Sequence, residues 1–558
     1  MNNTFTDTLA LLEKKERRHL WYYILLDVII IIIDIASLAL LLFIINFYTR
    51  PGHPTRITSL LPASFTDRSS ILLILVFLIF FSVKNILAYY LHQSRYRFLY
   101  KIASRIAEKN LLQYLEGNYN TYVSVDSAVQ IRRISQEPIE FSHYVLAGFV
   151  NIISQSILIV IAVIAMLAFN AGLFLLLFII LLPPVFLVAF IVKRKTRAAR
   201  THAKKSSENT LQFLKEALAG FVEASIFDKR NFFLQRYAGW QQKLNEHLSN
   251  IQSVQAMPNR MIEIFAVAGL FILIALNNQA GNPNNGAALI NIGAFMAAAY
   301  KIMPAAVQLL NSNSQVKTYA YTVTDLQQIK PVAGKGISTD SIPHIACLSF
   351  RNICFQYGSK KILQDFNAAI VKGDFIGIKG NSGIGKTTII HLLLGFLDPQ
   401  AGEIKINDVS TNADLRRAHW KNISYVKQEP FLVHDSILTN ITLDAVEYDH
   451  DRLEEIIRVT GLEELTNRVG HGLNTIITEN GKNISGGQRQ RIVIARALYK
   501  DADVILLDEP FNELDRVAEN ALLAHFAQLV QSGKIVILIT HNKESLAFCN
   551  KLIPLNDN

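Results

Sequence analysis

Six long apolar runs in the first 310 residues constrain what this chain can fold into more than any other feature. They cover residues 21–48, 71–91, 145–169, 173–192, 262–276 and 287–310. A helix needs about 20 apolar residues to cross a hydrocarbon core about 30 Å thick. Inside lipid every backbone N–H and C=O must be satisfied within the segment, and runs of this length achieve that as helices. The expectation is an all-α membrane domain of six helices. The fifth run is short and is expected to be extended by the segment from His247. Turn signals separate runs three and four (Asn170, Gly172) and runs five and six (277–286, with Gly281 and Pro283). The first run is too long for a signal-peptide core, and Asp7, Glu13 and Glu16 argue against a transit peptide.

The chain carries a formal net charge of +10, and its basic residues crowd beside the apolar runs. Lys14, Lys15, Arg17 and Arg18 precede the first run; Lys193, Arg194, Lys195, Arg197 and Arg200 follow the fourth. Basic patches can mark nucleic-acid binding. Their juxtamembrane position fits the positive-inside rule instead, so no nucleic-acid partner is expected and both termini are read as cytoplasmic. The only sizeable outer connection is 49–70, with Pro51, Gly52, Pro54 and Pro62; its stretch 57–61 could form a short interfacial helix. The inner connections, 92–144 and 193–261, are long, and 204–224 and 231–253 show helical apolar spacing. An arm of about 25 residues would reach roughly 35–40 Å below the bilayer. The arm tips are expected near 119–124 and 227–234, the second exposing Phe232 and Phe233.

Asp27, Asp34, Lys84 and Lys301 fall inside the runs. Charges there are costly and face protein or a cavity. Asp34 and Lys84 have matched estimated depth and are expected to pair, with a structural role and a substrate contact both open. Span six is rich in small residues, including Gly293, Ala294, Ala297 and Ala305, which suits close packing or a cavity wall.

After residue 310 the composition becomes ordinary. A polar stretch, 331–343, reads as a linker, and from Ile345 short strands, turns and helices alternate as in α/β units. Cys347, Cys354 and Cys549 lack metal-site spacing and read as small buried thiols. The run Gly380, Asn381, Ser382, Gly383, Ile384, Gly385, Lys386, Thr387, Thr388 fits the phosphate-loop pattern G-x-x-x-x-G-K-[ST]. A strand at 375–379 enters it and a helix follows. Glycines there let backbone N–H groups approach phosphates at a helix N-terminus. Lys386 would contact the β- and γ-phosphates, and the Thr387 hydroxyl would ligate Mg²⁺. The apolar strand 504–507 ends in Asp508 and Glu509. Asp508 is placed to hold Mg²⁺ and Glu509 to act as general base on water.

A hundred residues after the phosphate loop comes Ile484-Ser-Gly-Gly-Gln488, followed by 489–498. Together with the phosphate loop it resembles the ATPase domain of ABC transporters. That resemblance implies further roles. Tyr357 would stack on adenine. Gln428 is similar to the Q-loop glutamine that senses Mg²⁺ and water and touches coupling helices. Ser485, Gly486, Gly487 and Gln488 resemble the signature that closes on the γ-phosphate of ATP held by a partner subunit. Leu514-Asp515 resembles the D-loop end and His541 the switch histidine. The D-loop here reads Phe511-Asn-Glu-Leu-Asp515 rather than a Thr-Ser-Ala-Leu-Asp-type run, and the signature begins with Ile484 rather than leucine.

The long inner arms resemble those of ABC exporters, with coupling helices at their tips. The implied organisation is a six-helix transmembrane domain with long cytoplasmic helical extensions (1–330), a linker (331–343) and an α/β P-loop ABC ATPase domain (344–558). One copy of each implies a half-transporter that works as a dimer, with a homodimer permitted, in a bacterial cell membrane, using ATP and Mg²⁺. Span one begins at Trp21, so exporters with an N-terminal peptidase domain are disfavoured. Tyr300-Lys-Ile-Met-Pro304 and the outer segment after span one resemble bacterial flippases for lipid-linked oligosaccharides. Export of a peptide, siderophore or other lipid stays open as an alternative for the amphipathic substrate, as does an ATP-gated channel or a non-transporting regulator.

Overall fold

A computed structural model describes residues 2–49, 71–117, 119, 123, 125–169, 171–279, 286–328, 342–381, 383–444, 447–468 and 472–555. The outer connection at 50–70, Asn170, Gly281, Pro283, most of the linker (331–341) and Ser382 lie outside the described residues. The chain divides into two compact units, one of residues 1–117 with 124–332 and one of 118–123 with 333–558.

The first unit is helical. Its long helices are α1 (Lys14–Thr49), α2 (Leu72–Leu115), α3 (Ala147–Phe169), α4 (Ala171–Ala219), α5 (Arg230–Gln279) and α6 (Gly286–Gln328). Among the described residues three helical stretches, Lys14–Ile45, Leu72–Leu115 and Ser127–Ala168, are long and apolar enough to cross a membrane. Pro258 and Pro304 lie inside α5 and α6. Between α2 and α3 the ladder switches to π-type turns at Arg132–Gln136 and Phe141–Leu146. Pro138 stands between them, where its missing N–H removes a helical hydrogen bond. Leu99, Ile102 and Ile106 of α2, Phe141 and Val145, Val150 of α3, and Val316 and Val323 of α6 form one buried apolar cluster.

The charged residues of the apolar runs are all engaged. Asp34 pairs with Lys84 as expected, and also accepts from Lys301 Nζ at 2.7 Å. Asp27 pairs with Arg95 and accepts from Ser154 Oγ at 3.0 Å.

The second arm departs from expectation. Its helical spacing does not continue through 204–224: α4 stops at Ala219, and a separate six-residue helix, Phe221–Ile226, follows Gly220. Asp228 then adopts φ 50°, a turn, before α5 begins. The expected tip at 227–234 is therefore a turn plus the first turn of α5. Phe232 is exposed, but Phe233 is not: its ring lies 3.0 Å from where a Cβ on Gly220 would sit.

The second unit contains a five-stranded parallel sheet and a four-stranded antiparallel one. The parallel sheet, in order β11-β3-β10-β9-β6, comprises β3 (Phe375–Lys379), β6 (Ile423–Val426), β9 (Val504–Asp508), β10 (Ile535–Ile539) and β11 (Lys551–Pro554). β9 and β10 are buried throughout, as their continuous apolar runs require of a sheet covered on both faces. Two apolar clusters cover it, one with Ile389, Ile390 and Leu393 and the other with Ile492, Leu523 and Phe526. The antiparallel sheet, in order β2-β1-β4-β5, comprises β1 (Cys347–Tyr357), β2 (Lys360–Val371), β4 (Ala401–Ile406) and β5 (Val409–Thr411).

Residues 118–123 group with this second unit. Tyr119 stacks on Phe396 with ring centroids 4.7 Å apart and lies 5.0 Å from the His391 ring. Burial, and then the Lys427 charge, hold His391 below its usual pKa, so its ring meets Tyr119 uncharged near neutral pH.

Candidate active site

The phosphate-loop residues sit between β3 and helix α7 (Lys386–Leu393). Gly385, the last residue before the helix, adopts φ 110°, and a Cβ there would come within 2.4 Å of the Ile362 side chain. Only glycine suits both the dihedral and the space. Lys386 is nearly buried, and its Nζ donates to the loop carbonyls of Gly380 (2.8 Å) and Asn381 (3.4 Å). The ammonium is thereby held over the loop. Thr387 Oγ1 donates to Asp508 Oδ2 at 2.9 Å, joining the start of α7 to the end of β9. Thr388 is buried within the helix.

Neighbouring strand ends bring in the rest. Glu509 follows β9 with φ 49°, an uncommon value for a side chain of this size, and its N–H donates to Ile539 O of β10 at 2.9 Å. Its carboxylate accepts from Gln428 Nε2 at 3.4 Å and stands 3.5 Å from His541 Nδ1. Gln428 follows β6 and His541 follows β10, so three elements converge on one carboxylate. Burial raises the Asp508 carboxyl above its ordinary pKa; the Thr387 hydrogen bond opposes this, and the Glu509 charge adds to it. A carboxylate bonded to a hydroxyl in this way would suit a hard cation that takes oxygen ligands. The donor set of Thr387, Asp508 and Gln428 is all oxygen-bearing and fits Mg²⁺.

The signature residues open a helix of their own. Ser485 caps helix α8 (Gly486–Tyr499): its Oγ accepts from Gln488 N at 3.3 Å, and Gln488 Oε1 accepts from Ser485 N at 2.9 Å. A hydroxyl that accepts one bond can still donate its own proton to an anion. A Cβ on Gly486 would meet the Glu513 carboxylate at 1.5 Å, so any larger residue there would have to displace that side chain. Tyr357 ends β1 half-exposed, edge-on to Phe355 at 4.9 Å.

Three contributors are absent from the sequence expectation. Asn512 Nδ2 donates to Glu509 Oε2 at 2.8 Å, the shortest bond to that carboxylate among the described residues. Tyr425 OH donates to Asp508 Oδ2 at 3.4 Å. Glu513 packs over Gly486. The first and third are two of the three D-loop positions, 511 to 513, where the sequence departs from the usual run, and that departure was the available signal.

A phosphate loop feeding a parallel sheet, paired acids on the adjoining strand and a capped helix carrying Ser-Gly-Gly-Gln define a P-loop nucleotide-binding unit fused to a helical unit. Family models agree with both parts. The ABC transporter model matches residues 363–512, and the ABC transporter transmembrane region model matches residues 143–297. The glutathione/L-cysteine transport system ATP-binding/permease protein CydC of Escherichia coli is 30% identical over 396 residues, covering 70% of this chain and 67% of that protein. An ATP-dependent lipid A-core flippase of Burkholderia pseudomallei is 25% identical over 388 residues, covering 67% of this chain and 64% of the flippase. A bacterial Atm1-family ABC exporter solved with ATP bound shares the fold with a TM-score of 0.75 and 17% identity, over 96% of this chain and 94% of that one. The chain belongs to the ABC transporter family. In their aligned regions it spans 38% and 66% of the length of curated relatives from Rickettsia typhi and Haemophilus influenzae.

Proposed function

We propose that the chain is an ATP-driven exporter or flippase half-transporter that works as a dimer of two copies in a bacterial cell membrane, with six spans and both ends cytoplasmic. The observation that carries this reading is the convergence of Glu509, Gln428 and His541 beside the Thr387–Asp508 pair, in a chain that also carries the Ser485-capped signature helix. An ATP molecule held on the phosphate loop would be completed by the signature of a second copy.

Lys386 and the loop amides would hold the phosphates, Tyr357 would stack on the base, and Thr387, Asp508 and Gln428 would hold Mg²⁺. The cation would supply charge neutralisation at the phosphates. Glu509 would take the proton of the attacking water, with Asn512 and Gln428 aiming its carboxylate. Ser485 and the N-terminus of α8 would face the γ-phosphate from the partner copy. Closure of the two copies on ATP would shift the helical unit between states, because ATP bridges only the closed one. The packing of Tyr119 on Phe396 and His391 supports a coupling role for the first arm tip. The exposed Phe221, Ile226 and Phe227 support one for the second. Domain bounds of 1–330, 331–343 and 344–558 are part of this proposal, as is export of an amphipathic substrate from the cytoplasmic side.

Reconstitution tests the reading. Inside-out vesicles with the purified chain are given ATP and three labelled probes: a fluorescent phospholipid analogue, glutathione and a short apolar peptide. ATP-dependent movement of at least one, abolished in Glu509→Gln, is the expected result. Hydrolysis with none of them moved would favour a channel or regulator.

Asn512 gives a sharper expectation at the site itself. Asn512→Ala should lower kcat about tenfold with KM for ATP unchanged, the scale of one hydrogen bond to a charged group. Asn512→Ser should recover part of the loss. Equal changes in KM and kcat, or a lower melting point with normal kcat, would remove Asn512 from this role.

A further inference from the structure

One charge cluster among the apolar runs of the helical unit is unbalanced. Asp34 on α1 uses one carboxylate oxygen for Lys84 on α2 and the other for Lys301 on α6. The neighbouring Asp27–Arg95 pair is already balanced, with Ser154 completing it. Among the described residues two ammonium groups therefore share one carboxylate, leaving a single positive charge in excess at this triad. The three residues lie 15, 12 and 15 residues from the Thr49, Leu72 and Gly286 ends of their helices. That is roughly 18–23 Å along each helix, well within an apolar core about 30 Å thick. An uncompensated charge at that depth is costly, and proteins retain such charges where a ligand or pathway uses them.

The two lysines are not equivalent. The Lys84 side chain is 5% exposed and lies against the Phe81 ring, 4.3 Å from its centroid. The Lys301 side chain is 24% exposed and follows Tyr300, which is 72% exposed. Lys84 is the internal partner of Asp34, and Lys301 offers the open side of the triad.

We propose that Asp34, Lys84 and Lys301 form an anion-binding site in the membrane part of the chain, with Lys301 contacting the phosphate or carboxylate of an amphiphilic substrate. This rests on the reading above for the span formed by α6 and for the substrate. Asp34 holds Lys301 in place and tempers its charge, so the anion binds without becoming trapped. A zwitterionic head group brings its own cation and gains less.

The test uses the full-length chain in phosphatidylcholine nanodiscs, with binding read by fluorescence anisotropy against empty discs. The probes are a dansyl-labelled dodecyl phosphate and the same chain carrying phosphocholine. Wild type should bind the phosphate form about tenfold more tightly, the equivalent of one charge-assisted contact. Lys301→Met, which leaves the Asp34–Lys84 pair balanced, should erase that preference while still binding the phosphocholine form; Lys301→Arg should keep it. Inorganic phosphate at millimolar concentration separates the sources: competition supports a site for free anionic solutes as well, and no competition supports one that needs the apolar chain. Equal affinity of wild type for both probes, or an unchanged preference in a folded Lys301→Met protein, overturns the site. Lys301-dependent selectivity with no ATP-driven movement of any probe would leave the site standing and overturn the transport reading instead.

Discussion

Glu509→Gln should hydrolyse ATP about 10²–10⁴-fold more slowly than the native chain while binding ATP with comparable affinity. General-base catalysis contributes on that scale. The structure gives the reason the two effects separate. Lys386, Thr387 and Asp508 are linked to the loop and to each other without using the Glu509 side chain. The amide oxygen of the replacement can still accept from Asn512, whereas its NH₂ end cannot take a proton from water. The variant should therefore accumulate as an ATP-bound closed dimer, seen as a crosslink between copies that requires ATP. The measurements are steady-state phosphate release and nucleotide binding on purified protein. Near-native hydrolysis would remove Glu509 as the base and reopen the reading of the whole site.

The second large effect concerns stability. Arg132 is almost fully buried in the first unit, and its guanidinium faces three carboxylates: Glu140 at 3.0 Å, Glu208 at 3.4 Å and Glu137 at 3.5 Å. It also donates to Tyr321 OH on α6, which in turn donates to Glu140. One side chain thus ties together the π-turn segment, α4 and α6. Breaking a buried ion pair by removing one partner costs about 3–5 kcal/mol, because the abandoned charge stays buried. Arg132→Met should lose stability on that scale, visible as a clearly lower melting midpoint in detergent with ATP binding to the second unit retained. Arg132→Met/Glu137→Gln should recover part of it, since the best-buried carboxylate is then neutral. An unchanged midpoint in the single variant would show that the cluster contributes nothing net.

The ATP-binding half was legible from sequence because its chemistry is local. A phosphate loop works through consecutive backbone groups, so Gly380 to Thr388 announces itself by residue type and spacing. The apolar strand 504–507 ending in two acids carries its burial in its composition. The same holds for the apolar runs, since lipid permits few structures for them. Asp34 and Lys84 could be paired because depth along a helix follows from counting residues.

What could not be read depends on how distant segments align. Lys301 joins Asp34 across 267 residues. Arg132 meets Tyr321 across 189. No local pattern signals either contact, because each follows from the rotation and register of long helices packed against one another. The break at Gly220 was missed for a related reason: apolar spacing continues through it, while the Phe233 ring that packs there comes from the next helix. Asn512 sat in view as an unusual D-loop residue, but only the φ 49° turn at Glu509 brings its amide within 2.8 Å of the carboxylate. By itself the sequence determined the family, the nucleotide chemistry and the helical character of the first half, since backbone hydrogen bonding and apolar composition are properties of short segments. Tertiary packing alone decided which carboxylates meet which cations, because those distances are set by elements that the chain brings together only when it folds.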